Sequence, residues 1–181
     1  MTFRRVVWRL FTLALLFAFL VLAYPYLRNA ARFVSLLREP SPTALPVPVD
    51  GISRSQLANT WGAARSGGRT HEGIDIFAPR GTQVLSATRG IVVRKGTNRL
   101  GGKVVTVLGP GGWYHYYAHL EDWADPAMGD WVEPGTVLGY VGTTGNAQGT
   151  PPHLHYGLYD SGEAMNPYPL LTRREIDFPA P

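Results

Sequence analysis

The chain has 181 residues with 21 glycines, 15 prolines and no cysteine. This composition favours one β-rich domain with attachments, and it excludes a long helical bundle, disulfides, a lipid-modified cysteine and Cys-ligated zinc. The formal net charge is +4, but six arginines lie in residues 1–39, whereas residues 40–181 hold eleven Lys or Arg against twelve Asp or Glu. Binding to a nucleic-acid backbone needs clustered cations on the folded part, so we predict no nucleic-acid partner.

The first predicted element is an apolar segment over residues 10–27, which contains no charge and follows Arg4, Arg5 and Arg9. Eighteen helical residues would extend about 27 Å, close to the thickness of the hydrocarbon core of a membrane. We predict an N-terminal basic region and transmembrane signal-anchor over residues 1–27. The chain would then be a single-pass protein of the cell membrane, with its remainder on the periplasmic or extracellular side. Val21-Leu22-Ala23 also fits a signal-peptidase site, so cleavage and retention both stay open.

Residues 28–50 are predicted to connect this segment to the folded domain. Apolar residues among the arginines of residues 28–38 favour a juxtamembrane helix. Four prolines within residues 39–50 predict an extended, semi-rigid linker rather than a packed element. We therefore place a domain boundary near Asp50 and expect one domain over residues 51–181.

Beyond residue 50, short alternating runs are bounded by glycine-rich turns, a pattern typical of β-sandwich strands. Strands are predicted at residues 74–77, 83–87, 90–94, 103–108, 113–120, 136–141 and 153–159. Single helical turns are predicted near residues 56–58 and 168–171, and Gly109-Pro110-Gly111-Gly112 predicts a hairpin connection. The expected fold class is all-β, a small antiparallel sheet or sandwich preceded by one transmembrane helix.

Two motifs predict a split zinc site. His71 and Asp75 lie four apart around Gly73, and His153 and His155 share one face of a strand, since residues two apart point the same way. A catalytic zinc takes three protein ligands of this kind and keeps its fourth position for water. Gly73 disfavours a helix, which counts against a helical His-Glu-x-x-His protease.

The strand that ends in Tyr117-Ala118-His119-Leu120 carries two more histidines. Regular alternation would place His115, Tyr117 and His119 on one face, from which His119 reaches the same cleft. His115 is predicted to lie at the groove edge or in solvent rather than to bind metal.

These residues resemble peptidase family M23, the LytM or lysostaphin-type zinc endopeptidases. The resemblance runs through Trp61-Gly62, His71-Glu72-Gly73-Ile74-Asp75-Ile76, Ala78-Pro79-Arg80-Gly81-Thr82, Tyr117-Ala118-His119-Leu120, Gly142-Thr143-Thr144-Gly145, His153-Leu154-His155 and Asn166-Pro167. It implies a metallopeptidase domain over residues 51–181 with a zinc groove. It further implies that His71, Asp75 and His155 hold Zn²⁺ and that His119 and His153 are the unligated catalytic histidines.

The resemblance also implies the activity, a zinc metalloendopeptidase that hydrolyses peptide cross-links of bacterial peptidoglycan through a zinc-activated water. The expected partners are peptidoglycan stem peptides and the membrane, and a cell-envelope protein partner stays open. The alternative is a non-cleaving LytM-like regulator that binds and activates another cell-wall hydrolase. All five key positions are present, which favours the enzyme. Either His119 or His153 can be the general base.

Overall fold

The computed structural model describes residues 3–173. By their internal contacts these residues form two compact units, one that ends at Ser35 and one that begins at Leu36. Helix α1 spans Phe3–Arg38 without interruption, with Pro25 inside it, so the predicted juxtamembrane helix is part of the same helix. The helix is long and apolar enough to cross a membrane, and a signal sequence near the N-terminus passes the same test. One N-terminal apolar helix is therefore confirmed, whereas the membrane anchor stays a prediction.

Within residues 36–173, one antiparallel sheet of nine strands forms the framework of the second unit. The strands are β1 Ile74–Phe77, β2 Gln83–Leu85, β3 Gly90–Asn98, β4 Gly102–Leu108, β5 Tyr114–Trp123, β6 Trp131–Val132, β7 Val137–Val141, β8 His153–Asp160 and β9 Glu163–Met165. The prediction of a mostly antiparallel β fold is confirmed, and each predicted strand is present. The sequence did not reveal β6 and β9 because two or three residues are too few for alternation to show.

Short helical segments flank the sheet where single turns are predicted. A 3₁₀ turn covers Arg54–Gln56 and helix α2 covers Tyr168–Thr172. The predicted hairpin connection also forms, with a 3₁₀ turn over Pro110–Gly112 between β4 and β5.

The order of the strands determines which residues meet at the site. The sheet runs β1-β8-β5-β4-β3-β6, so β8 lies between β1 and β5. In this register His155 on β8 is opposite Asp75 on β1 and opposite Ala118 on β5. Two motifs eighty residues apart in the chain are therefore neighbours across one strand pair.

The segment before residue 50 belongs to the core. Leu45, Val47 and Val49 are buried and pack into the main hydrophobic cluster, and the Leu45 N–H donates a hydrogen bond to the Leu170 carbonyl at 3.0 Å. The prediction that residues 39–50 form an unpacked linker is therefore wrong over residues 44–49. Pro46 and Pro48 are buried as well, and their fixed φ keeps the segment extended.

Replacing Leu45 with alanine tests this packing. We expect the free energy of unfolding to fall by about 2–5 kcal/mol, because a large aliphatic side chain that is 2% exposed would leave a cavity. Urea denaturation of the full chain in a neutral detergent, followed by tryptophan fluorescence, measures the change. Leu37→Ala is the matched control, since Leu37 is 49% exposed. Equal effects of the two substitutions would contradict a packed segment.

His115 lies in the core, not at the groove edge or in solvent as predicted from the sequence. Its side chain is fully buried, Nδ1 shares a hydrogen bond of 2.7 Å with the Tyr156 hydroxyl, and Nε2 has no partner among the described residues. Burial lowers the pKa of His115 to about 3. The odd-numbered residues of this part of β5, His115 and Tyr117, face the core, whereas Tyr114 and Tyr116 face the groove.

Because His115 is buried with a lowered pKa, we expect the free energy of unfolding to fall in acid. The unfolded side chain binds a proton near pH 6.5 and the folded one only near pH 3, so the unfolded state holds more protons between these values. Stability therefore falls as the pH falls below 6.5, by at most about 1.4 kcal/mol per pH unit from this group.

The measurement compares metal-free wild type with His115→Gln by urea denaturation at pH 7 and pH 5. We expect the wild type to lose about 2 kcal/mol more than the variant between these two pH values. Identical losses would show that His115 takes up its proton without unfolding.

A candidate metal centre

Three ligand atoms converge at the junction of β1 and β8. His71 Nε2 lies 2.8 Å from His155 Nδ1 and 3.1 Å from Asp75 Oδ1, and the His155 and Asp75 atoms are 3.3 Å apart. A tetrahedral zinc with bonds of about 2.0–2.1 Å places its ligand atoms roughly 3.3 Å from one another. The three side chains form a group that could hold a metal ion, and their spacing fits zinc.

Thr60, in the loop before β1, holds two of these residues in place. Its carbonyl accepts the His71 Nδ1–H at 2.7 Å, and its Oγ1 accepts the Asp75 N–H at 2.9 Å. The first bond leaves the lone pair of His71 on Nε2, which faces the other two atoms. Gly73 is required between them, because a Cβ there would lie 2.6 Å from the His155 ring.

The charges around the cluster keep its members in the forms that bind metal. Burial alone would raise the pKa of Asp75, but the interactions of its carboxylate with His155 and His71 outweigh burial and hold that pKa well below its usual range. Burial also lowers the pKa of His155, which favours the neutral ring. Arg65 forms an ion pair with Asp75 Oδ2, so Oδ1 is the oxygen directed at the two histidines.

His119 reaches the cleft through a β-bulge. Lys103 and Val105, two apart on β4, pair with Leu120 and Tyr117, three apart on β5, so β5 carries one extra residue. His119 lies in this bulge and has a φ of 64°. The bulge turns the His119 side chain away from the core face, on which Tyr117 lies. The predicted location in the cleft therefore agrees with the structure, but the predicted reason, regular alternation, is wrong.

His119 and His153 lie side by side next to the cluster, with ring centroids 5.0 Å apart. Each donates its Nδ1–H to a backbone carbonyl, His119 to Thr144 at 2.8 Å and His153 to Pro151 at 2.9 Å. Burial lowers the pKa of His119 to about 4, although the Thr144 bond acts in the opposite direction. Both rings can thus present a lone pair on Nε2, and His153 Nε2 lies 3.8 Å from Asp75 Oδ1.

Comparison with known proteins shows the family of this chain. Residues 69–167, more than half of the 181-residue chain, match the model of peptidase family M23. The chain belongs to peptidase family M23. The L-Ala--D-Glu endopeptidase of Bacillus subtilis (strain 168) is 45% identical over 143 residues, which are 72% of this chain and 43% of that protein. The peptidoglycan DD-endopeptidase ShyC of Vibrio cholerae serotype O1 is 32% identical over 99 residues, 55% of this chain and 22% of that protein.

A solved structure agrees with the fold of this M23 chain. The catalytic domain of the antimicrobial peptidase lysostaphin from Staphylococcus simulans superposes with a TM-score of 0.59 at 28% identity. The match covers 66% of this chain and 96% of that domain. The chain spans less than half the length of the two curated relatives described above. Relatives named as endopeptidases support a peptidase function for the M23 domain.

All five residues singled out in the sequence line one cleft of the M23 domain, together with several that were missed. Asn98 Nδ2 donates to the Tyr116 hydroxyl at 3.0 Å, and Asn98 Oδ1 accepts the Gly101 N–H at 2.6 Å. The Gly101 carbonyl in turn accepts the His119 N–H at 2.7 Å. Asn98 thus supports the bulge that carries His119.

Two other missed residues, Thr60 and Arg65, act through Asp75 and lie in the loop before β1. Thr60 directly precedes Trp61-Gly62, where the family resemblance begins, so that motif was a usable signal. Nothing in the sequence marks Arg65, because its partner is ten residues away across a turn.

Replacing Thr60 with valine tests how the ligands of this M23 site are held. Valine keeps the carbonyl that accepts from His71 but removes the acceptor of the Asp75 N–H. We expect zinc affinity to fall about tenfold, the usual effect of losing a contact behind a metal ligand. Competition with a chromophoric zinc chelator measures the affinity, and Thr97→Val, exposed on β3, is the control. Unchanged affinity in Thr60→Val would contradict this role for Oγ1.

Proposed function

We propose that this chain is a zinc metalloendopeptidase that hydrolyses peptide cross-links of bacterial peptidoglycan. The observation that carries the proposal is the convergence of His71 Nε2, Asp75 Oδ1 and His155 Nδ1 within 2.8–3.3 Å. Relatives named as an L-Ala--D-Glu endopeptidase and a peptidoglycan DD-endopeptidase support this substrate. In the proposal these three residues hold Zn²⁺, and His119 and His153 are catalytic.

The histidines beside the cluster are suited to proton transfer. Zinc held by the three ligands would polarise a peptide carbonyl and lower the pKa of a bound water to about 7. Nε2 of His119 or His153 can take the proton of the attacking water, since the Nδ1–H of each ring is donated to the backbone.

The same rings are suited to the second half of the reaction. With a pKa of about 4, a protonated His119 readily gives its proton to the leaving amine. A ring that stabilises the developing oxyanion must carry a second proton, on Nε2, because its Nδ1–H is already donated to the backbone.

The cleft and the N-terminal helix suit a substrate in the cell envelope. The cleft is lined from β1, β8, β5, β4 and β3, so it crosses the strands and can hold an extended peptide. In the proposal α1 tethers the chain to the cell membrane as a single-pass protein, with the peptidase domain on the periplasmic or extracellular side.

Metal analysis and digestion of sacculi test the proposal together. The full chain is purified in a neutral detergent, its zinc is counted by mass spectrometry, and it is incubated with purified peptidoglycan sacculi. We expect about one zinc per chain and the release of fragments with cleaved cross-links. Zinc without cleavage would favour the alternative, a LytM-like regulator of another hydrolase, and absence of zinc would overturn the metal site.

A further inference from the structure

The cleft concentrates positive charge that the rest of the domain lacks. Residues 40–181 carry slightly more acidic than basic side chains. Among the described residues that line the cleft, however, the basic ones are Arg65, Arg69, Arg94 and Arg99, and the acidic ones are Glu72 and Asp75. Because Arg65 is paired with Asp75, an excess of cations remains for a ligand.

Two of these arginines lie at the β3 end of the cleft. Arg94 on β3 is opposite Thr106 on β4, which is opposite Tyr116 on β5, and the Tyr116 ring lies 6.0 Å from the His155 ring. Arg94 and Tyr116 both line the cleft, and the charge of Arg94 acts against the rise that burial causes in the pKa of Tyr116. Arg99 follows directly in the turn after β3.

Both arginines are available to a ligand. Arg94 and Arg99 are exposed and form no ion pair within residues 3–173. Glu72 lines the cleft near β1. Burial raises the pKa of Tyr159, and the charge of Glu72 raises it further. The cleft is therefore basic at β3, where Arg94 and Arg99 lie, whereas near β1 the two arginines Arg65 and Arg69 are matched in number by Glu72 and Asp75.

We propose that the β3 end of the cleft is a carboxylate subsite, in which Arg94 and Arg99 bind an acid group of the substrate peptide. The proposal rests on the proposed function and specifies its substrate as a peptide with a free carboxylate rather than a carboxamide. A guanidinium group binds a carboxylate through two parallel hydrogen bonds and the attraction of opposite charges, whereas a neutral amide lacks that attraction.

The position of the subsite relates it to the bond that is cut. Three strand spacings separate β8 from β3, which corresponds to about 14 Å. An extended peptide advances about 3.5 Å per residue, and an arginine side chain shortens the remaining gap. The recognised acid group therefore lies roughly two to four residues from the scissile bond.

Matched substrates test the subsite. Soluble cross-linked muropeptides are prepared in two forms, one with native carboxylates and one amidated with carbodiimide and ammonia, and kcat/KM is measured for the zinc-loaded full chain. We expect the wild type to prefer the acid form about tenfold, as one charge-assisted contact implies. Raising NaCl from about 50 to about 500 mM should shrink the preference.

The double variant R94Q/R99Q should cleave the acid form about tenfold more slowly and the amidated form as the wild type does. R94K/R99K, which keeps both charges, should retain most of the preference. Arg89→Gln removes a charge that is paired with Glu39 outside the cleft and should change neither rate. Equal cleavage of both forms by the wild type, or an equal loss of both in R94Q/R99Q, would overturn the proposal.

A binding experiment separates failure of the subsite from failure of the proposed function. If the zinc-loaded wild type cleaves neither preparation, binding of both is measured by calorimetry. Tighter binding of the acid form that R94Q/R99Q loses would support the carboxylate subsite in a protein that does not hydrolyse the peptide. Equal binding of the two forms would overturn the subsite whatever the outcome for hydrolysis.

Discussion

Replacing His155 with alanine is expected to remove zinc and abolish hydrolysis. The substitution leaves two of the three converging ligand atoms, His71 Nε2 and Asp75 Oδ1. A catalytic zinc site takes three protein ligands, and two do not complete that set. We expect zinc affinity to fall by on the order of 10³-fold or more, since even contacts behind a ligand are worth about 10- to 100-fold.

Metal content after dialysis against a weak chelator measures the loss, and His153→Ala is the matched control. His153 lies two residues away on the same face of β8, but it is outside the group of three converging ligands. We expect that variant to retain about one zinc per chain. If His155→Ala kept zinc while His153→Ala lost it, the ligand set would have to be reassigned.

The second large effect is expected for His119→Ala, a fall in kcat of about 10²- to 10⁴-fold with zinc and the fold retained. His119 is held by Thr144 and Gly101 with its Nε2 available to the cleft, so its removal takes away a proton acceptor without removing a metal ligand. The substrate contacts stay in place, which keeps KM nearly unchanged.

Kinetics on soluble muropeptides, zinc content and thermal unfolding are measured on the same preparation. His115→Gln is the control, because His115 lies on the same strand but in the core, and it should keep wild-type kcat at pH 7. Full activity of His119→Ala would contradict a catalytic role and leave His153 as the only histidine in the cleft able to move the proton. A fall in thermal stability that matches the loss of activity would show a structural role instead.

The strands and the site residues could be predicted because their signals are local. The alternation in His153-Leu154-His155 places both histidines on one face, and the structure buries Leu154 on the other. Gly73 excludes a helix between His71 and Asp75, and the structure has the start of β1 there. The fold class follows from the same short periods, since each strand shows its two faces in its own sequence.

The segment at residues 44–49 and His115 could not be predicted because burial depends on distant partners. A run of prolines and aliphatic residues has the composition of a linker, and the sequence does not show which distant residues pack against it. In the structure the main hydrophobic cluster buries this segment, and the Leu170 carbonyl accepts a hydrogen bond from it. His115 is a polar residue at a position of β5 that faces the core, where the Tyr156 hydroxyl satisfies one of its nitrogens.

The sequence by itself determined the residue types of the site, the strand periods and the turns that separate them, because each of these depends on neighbours along the chain. Only the tertiary structure decided which way His119 points, since the bulge arises where β5 leaves the register of β4 and pairs with β7 at Leu120. It also decided that Asp75 presents Oδ1 while Arg65 takes Oδ2, and that Arg94 and Arg99 share a cleft with the three converging side chains. These choices depend on register and packing between strands far apart in the chain, where no local pattern carries the information.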